Sequence, residues 1–139
     1  VEIRPFSIAD KSALIELWER CGLIRPWNDP TKDIDRKLEV QPHMFLVGSI
    51  EDQIVGSVMA GYDGHRGWIN YLAVCPTLRR RGYGRNLMQH AEALLDSAGC
   101  AKINLQIRSE NGSAIEFYRS LEYDLDKVIS MGKRMHTDY

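Results

Sequence analysis

The chain has 139 residues, 44% hydrophobic and 27% charged, with a formal net charge of −1; this is a soluble globular composition with enough chain for one domain, expected over residues 1–139. The even balance of 18 Lys and Arg against 19 Asp and Glu argues against a nucleic-acid binder, which needs a broad basic surface, and no apolar run approaches the ~18 residues of a membrane span. Three widely spaced cysteines and four histidines without ligand spacing argue against a disulfide framework or a metal site, and suit a reducing cytoplasm.

"VEIRPF" reads as a short first strand. Ser7, with Asp10 three residues on, is placed to cap a helix that carries Leu14, Leu17 and Trp18 on one face. "IRPWNDP" breaks it, and Asp29 followed by Pro30 starts a second helix with Ile34 and Leu38 on its apolar side. "HMFLVGSI" and "QIVGSVMAGY" are strands joined through "EDQ", and "DGHRG" is a second hairpin turn. "WINYLAV" is apolar at nearly every position and is expected to be buried on both faces. A helix follows from Tyr83 to Ala98, then the strand "KINLQIR", the helix "NGSAIEFYRSL" and a last strand, "KVISMGKRM". The order βααβββαβαβ predicts an α+β fold, an antiparallel half followed by a βαβαβ half, with helices on both faces of a mixed sheet.

Residues 77–86, "TLRRRGYGRN", concentrate arginine and glycine between a strand and a helix. Such a junction aims unpaired N–H groups in one direction, backed by the positive end of the helix dipole. Gly82 and Gly84 allow close approach of the backbone, and Arg79, Arg80, Arg81 and Arg85 add charge, so the turn suits a diphosphate. The P-loop pattern is absent. Leu87 stands where the third glycine of a dinucleotide fingerprint belongs.

"LAVCPTLRRRGYG" resembles the [RQ]-x-x-G-x-[GA] signature of the GNAT superfamily of acetyl-CoA-dependent N-acetyltransferases, as Arg79-x-x-Gly82-x-Gly84. "NLQIRSENGSAIEFYRSLEY" is similar to the family's second block, with Asn111, Ala114, Phe117 and Tyr118 in their expected places. The element order agrees over the whole chain, most closely with small bacterial members. The resemblance implies a central, mostly antiparallel sheet whose fourth and fifth strands splay apart. It implies acetyl-CoA as co-substrate and no metal. The diphosphate would lie on the amides of Arg80 to Arg85, the pantetheine arm beside Leu72 and Val74, with Asn111 hydrogen-bonding to it. Tyr118 would protonate the leaving thiolate as general acid.

Two departures from the family pattern bear on the chemistry. Glu122 replaces the usual glycine of the "LGF/LGY" ending, and so predicts a different turn or strain. The fourth strand has no carboxylate, and Gln106 stands where relatives of this kind carry a glutamate on the fifth. The general base is therefore open among a water chain, Tyr71, Tyr62, Asp63 and His65. Turn chemistry favours an ordinary hairpin for the last two. Cys75 reads as a small buried thiol rather than a nucleophile, since no histidine adjoins it.

The acceptor wall implied by the family comprises the segment between the first two helices and the second hairpin turn. Here these offer Trp27, Asn28, Tyr62, Asp63 and His65, with Arg25, Arg66 and Trp68 nearby. Aromatics with carboxylates suit a cationic amine, while Arg25 or Arg66 could hold a carboxylate. The expected activity is acetyl transfer to a primary amine: an amino acid, a small amine or a peptide N-terminus. The alternative is a non-catalytic acyl-CoA-binding sensor. Neither nucleic acid nor membrane is an expected partner, and a homodimer is left open.

Overall fold

The computed structural model describes residues 1–139. Five strands form one sheet in the order β1-β2-β3-β4-β5: β1 Glu2–Pro5, β2 Phe45–Ile50, β3 Gln53–Tyr62, β4 Gly67–Val74 and β5 Ile103–Leu105. The first three pairings are antiparallel and β4–β5 is parallel. Four α-helices cover the sheet: α1 Lys11–Arg20, α2 Pro30–Leu38, α3 Tyr83–Ser97 and α4 Gly112–Ser120. The first two close one face through Leu14, Leu17, Trp18 and Ile34. On the other, Leu87, Met88, Ala91 and Leu95 of α3 form the core, with Phe117 and Tyr118 of α4 packed against it.

Local chemistry sets these elements. Asp29 accepts from the Thr31 N–H at 2.9 Å and Pro30 opens α2, a standard N-terminal arrangement. Glu51 and Asp52 both take positive φ, 49° and 64°, as a two-residue hairpin turn of the primed kind requires. The first helix departs from expectation. Asp10 accepts from the Ser7 N–H at 2.8 Å, but this arrangement closes a short 3-10 turn over Ile8–Asp10, and α1 begins only at Lys11.

The parallel ladder is short. Its last pair is Ile69↔Leu105, although β4 continues to Val74. The two strands therefore fork. This corrects the expectation that "WINYLAV" is buried on both faces: Asn70 is exposed, and Tyr71, Leu72 and Val74 are only partly buried, because beyond Ile69 β5 no longer lies beside them.

The expected last strand at 127–135 is also absent. Val128, Ile129, Met131 and Met135 of this segment are exposed, and Nε2 of Gln106, just past β5, donates to Ser130 Oγ. With three residues of strand, β5 offers too short a ladder to offset the entropy of ordering nine more. The chain instead runs on to α2, where the Asp138 carboxylate accepts from the Asp29 N–H at 2.8 Å and pairs with Arg36 at 3.1 Å.

Candidate active site

At the open end of the fork, β4 passes through Pro76–Leu78 into the arginine-glycine turn and α3. Arg80 and Gly82 take left-handed φ, 66° and 83°, which turns the backbone through the corner. The first backbone bond at this end of α3 runs from the Asn86 N–H to the Gly82 carbonyl. The amides from Arg79 to Arg85 donate to no group of the protein. They stand at the positive end of a 15-residue helix, beside exposed Arg79, Arg80, Arg81 and Arg85, which is an anion-binding arrangement.

The two motif glycines have different surroundings. A Cβ on Gly82 would meet nothing within 4 Å, so this position is open as well as left-handed. A Cβ on Gly84 would lie 3.1 Å from Phe117 Cζ and 3.6 Å from Val74 Cγ2. Gly84 thus lets α3 pack closely against α4 and β4.

An open groove of 1650 Å³ lies along β5 and α4; Asn28, Trp68, Asn70, Leu105 and Tyr118 are among its walls. Tyr118 stacks edge-on with Phe117 and Tyr123 at centroid distances of 5.1 and 5.7 Å. Burial alone raises its phenol above the ordinary tyrosine value, so it keeps its proton at neutral pH. Asn111 caps α4: its Oδ1 accepts from the Ala114 N–H at 3.2 Å, which leaves the side-chain NH2 free to donate. Leu72 and Val74 lie on the part of β4 that β5 leaves free, with Val74 still facing Gly56 of β3.

The acceptor residues divide. Asn28 shares the groove with Tyr118, and Trp27, 40% exposed, lies under the Arg108 guanidinium at 5.4 Å. The contact joins the α1–α2 segment to the chain that follows β5. Tyr62, Asp63 and His65 lie elsewhere, beyond Gly67 at the paired end of the ladder, ~13 Å of strand rise from Tyr71. Asp63 Oδ1 accepts from the Arg66 and His65 N–H groups at 2.7 and 2.8 Å, and these bonds hold its carboxyl below the usual range. Its Oδ2 accepts from Nε1 of Trp68, a wall of the groove, at 3.3 Å. The Tyr62 hydroxyl donates to Gly64 and Gly99 carbonyls, at the far end of α3 from the anion site. Cys75 is buried, with Thr77 Oγ1 at 3.4 Å.

Two further residues make contacts that the sequence did not point to. Asp33, on α2, accepts from the Tyr71 hydroxyl at 2.5 Å. Arg108 ends the stretch "LQIR", whose sequence carries no sign of the distant Trp27 it covers.

The profile of the Acetyltransferase (GNAT) family matches residues 11–123. An acetyltransferase of Pectobacterium atrosepticum is 49% identical over 138 residues, spanning 99% of this chain and 98% of that protein. The PaiA N-acetyltransferase of Thermoplasma acidophilum, solved with coenzyme A, superimposes with a TM-score of 0.79 over 92% of each chain at 19% identity. The ribosomal-protein-S18-alanine N-acetyltransferase of Escherichia coli gives 0.72, at 20% identity, over 86% of this chain and 75% of that one. No helix here is long and apolar enough to cross a membrane. With forked strands, an open anion turn and a full-length relative at this identity, the chain belongs to the GNAT acetyltransferase family and is an N-acetyltransferase.

Proposed function

We propose that this protein transfers the acetyl group of acetyl-CoA to a primary amine by direct attack, with Tyr118 as general acid. The observation that carries the reading is the fork: β4 parts from β5 after Ile69 while keeping β3, and the amides of Arg79 to Arg85 at its open end have no partner. Those amides and the surrounding arginines would hold the diphosphate. The unpaired edge of β4 at Leu72 and Val74 would take the pantetheine arm, with the free amide of Asn111 donating to it. The acetyl group bound there is the activated acyl donor. Tyr118, a phenol that burial raises further above its ordinary range, gives its proton to the departing sulfur.

Acceptor chemistry follows from charge. A free α-amine, of ordinary pKa about 7.7–8.0, is far easier to present neutral than a lysine side chain at about 10.4. The favoured acceptors are therefore an amino acid, a small amine of low pKa or a peptide N-terminus, entering past Trp27 and Asn28. Thiol release from acetyl-CoA over a panel of amino-acid amides and N-blocked lysine peptides tests this. Tyr118→Phe should lower kcat by about 10²–10⁴-fold and leave KM for acetyl-CoA unchanged. Preference for blocked lysine would overturn the acceptor assignment. Coenzyme A binding with no thiol release for any amine would make the chain an acyl-CoA-binding module instead.

A further inference from the structure

We propose that Tyr71 is the catalytic residue that takes the proton from the attacking amine, and that Asp33 is the positioning residue that holds its hydroxyl and receives the proton it gives up. The proposal rests on the amine-acetylating reading above. It fills the role for which the sequence offers no carboxylate on β4 or β5.

Tyr71 stands where the fork opens, two residues past the last β4–β5 pair. The register with β3 slips here: Ser57 faces Ala73 while Met59 faces Asn70, so Tyr71 and Leu72 share one opposing residue, Val58. This is a bulge, which re-aims a side chain out of the regular alternation. Tyr71 adopts φ 52°, a left-handed conformation that a bulky residue holds only when its surroundings impose it. Those surroundings are specific. The Tyr71 carbonyl accepts from Ser57 Oγ at 2.8 Å, and that oxygen accepts from Trp18 Nε1 at 2.9 Å. The Tyr71 ring stacks on Trp18 at a centroid distance of 3.9 Å.

The hydroxyl ends on Asp33 Oδ2, while Asp33 Oδ1 takes Arg36 at 2.7 Å, and Arg36 also pairs with Asp138. One carboxylate oxygen is thus aimed at the phenol and the other is pinned by a guanidinium. Tyr71 packs on the α1–α2 side of the sheet and Tyr118 on the α3–α4 side. The fork therefore has a tyrosine on each face. One is assigned to the leaving sulfur, and the other meets an amine arriving past the α1–α2 segment.

The protons balance. As the amine nitrogen bonds to the acetyl carbon, the carbon–sulfur bond breaks and the sulfur takes the Tyr118 proton. The nitrogen's proton passes to Tyr71 Oη while the proton of Tyr71 passes to Asp33 Oδ2. Asp33, with its side chain 22% exposed, then releases that proton to water, and Tyr118 regains one from water. Burial and the neighbouring Asp33 hold Tyr71 protonated through the ordinary tyrosine range, so it acts as a relay and not as a phenolate.

The test uses the full chain, acetyl-CoA and the amino-acid amide of highest kcat/KM in the panel above. The charged groups that face Tyr71 are Asp33, Arg36 and Asp138, and its α1 neighbour, Trp18, does not titrate. Tyr71→Phe and Asp33→Asn should each lower kcat by about 10²-fold with KM for acetyl-CoA unchanged. In Asp33→Ala, which opens space beside the Tyr71 hydroxyl, kcat should rise with added imidazole, a base able to take the proton from Tyr71, whereas the wild type should not respond. Asp33→Glu should recover about a tenth or more of the wild-type kcat, since a carboxylate is restored. Should Tyr71→Phe fail to fold, Asp33→Asn carries the test, because its amide oxygen still accepts from Tyr71. Wild-type kcat in Asp33→Asn, or a loss in Asp33→Ala that imidazole leaves unchanged, would overturn the proposal. A wild-type protein that acetylates no amine would instead remove the parent reading, and this relay with it.

Discussion

Gly84 of α3 and Phe117 of α4 face each other so closely that a Cβ on the glycine would lie 3.1 Å from the ring. Phe117 is in turn edge-on to Tyr118, so the anion turn and the tyrosine at the groove are joined through one packing contact. Gly84→Ala should therefore act on chemistry more than on stability. Alanine gains ~1 kcal/mol of helix propensity over glycine, which offsets the push on the ring. The melting temperature should change little, while kcat falls about tenfold through displacement of Tyr118, because small errors in catalytic geometry are costly. Wild-type kcat in this variant would show that α4 absorbs the contact without moving Tyr118.

Gly82 should respond differently. It has open space but φ of 83°, a conformation that costs an L-residue roughly 1–2 kcal/mol. Gly82→Ala should relax the corner and misalign the amides that follow. Calorimetry should show coenzyme A binding weakened by about tenfold, the equivalent of ~1.4 kcal/mol. Unchanged affinity would place the diphosphate off these amides.

Trp27→Ala should raise KM for the amine and spare that for acetyl-CoA, since Trp27 lies on the acceptor side, half-covered by Arg108. Steady-state kinetics with each substrate varied in turn decides it. The reverse pattern would make the Arg108 contact a brace for the β5–α4 chain alone.

The sequence was most legible where function depends on local backbone. The anion turn is contiguous, so its glycines and arginines announce it, and the caps at Asp29 and Asn111 act within three residues. Contacts between distant segments left no such trace. Tyr71 and Asp33 are 38 residues apart and Arg108 lies 81 from Trp27. Nothing in either local pattern couples them. The hairpin turn at Asp63 was legible for the same local reason: turn chemistry favours an ordinary hairpin there, and the Arg66 and His65 N–H groups hold the Asp63 carboxylate in it. The missing last strand shows that strand pattern is insufficient where the partner edge is three residues long.

Glu122 can be tested directly. It takes φ of 72°, and the Tyr123 N–H returns to the Tyr118 carbonyl while its own N–H reaches the Arg119 carbonyl. That is the Schellman pattern, whose left-handed position favours glycine. The turn survives the departure from the family motif, and the side chain bears the strain. Glu122→Gly should relieve ~1–2 kcal/mol of left-handed strain and lose part of that to the greater freedom of glycine in the unfolded chain. A net gain of about 0.5–1 kcal/mol corresponds to a rise of roughly 2–5 °C in Tm. A lower Tm would mean that the Glu122 side chain makes a contribution larger than its backbone strain.

Alkaline stability follows from three tyrosines. Burial is the largest cause raising the phenols of Tyr71, Tyr118 and Tyr123, reinforced for Tyr71 by Asp33 and for Tyr123 by Glu92, whose carboxylate accepts its hydroxyl at 2.6 Å. In the unfolded chain each ionises near pH 10. Above that pH the unfolded state binds fewer protons than the native state, so the slope of unfolding free energy with pH is negative. Their stabilisation is complete below about pH 10 and is lost as pH climbs from there towards the native values. Each contributes at most ~1.4 kcal/mol per pH unit, and the half-buried Tyr71 and Tyr123 less than this because solvent screens them. Thermal melts between pH 8 and 11 (~2 units below to ~1 above the ordinary tyrosine value) should show a plateau followed by a fall in Tm. Tyr118→Phe cannot ionise and should make that fall shallower, even though it lacks nothing the core needs from the hydroxyl. An identical fall in the variant would mean that Tyr118 meets solvent freely and titrates like an exposed tyrosine, so that burial does not raise its phenol.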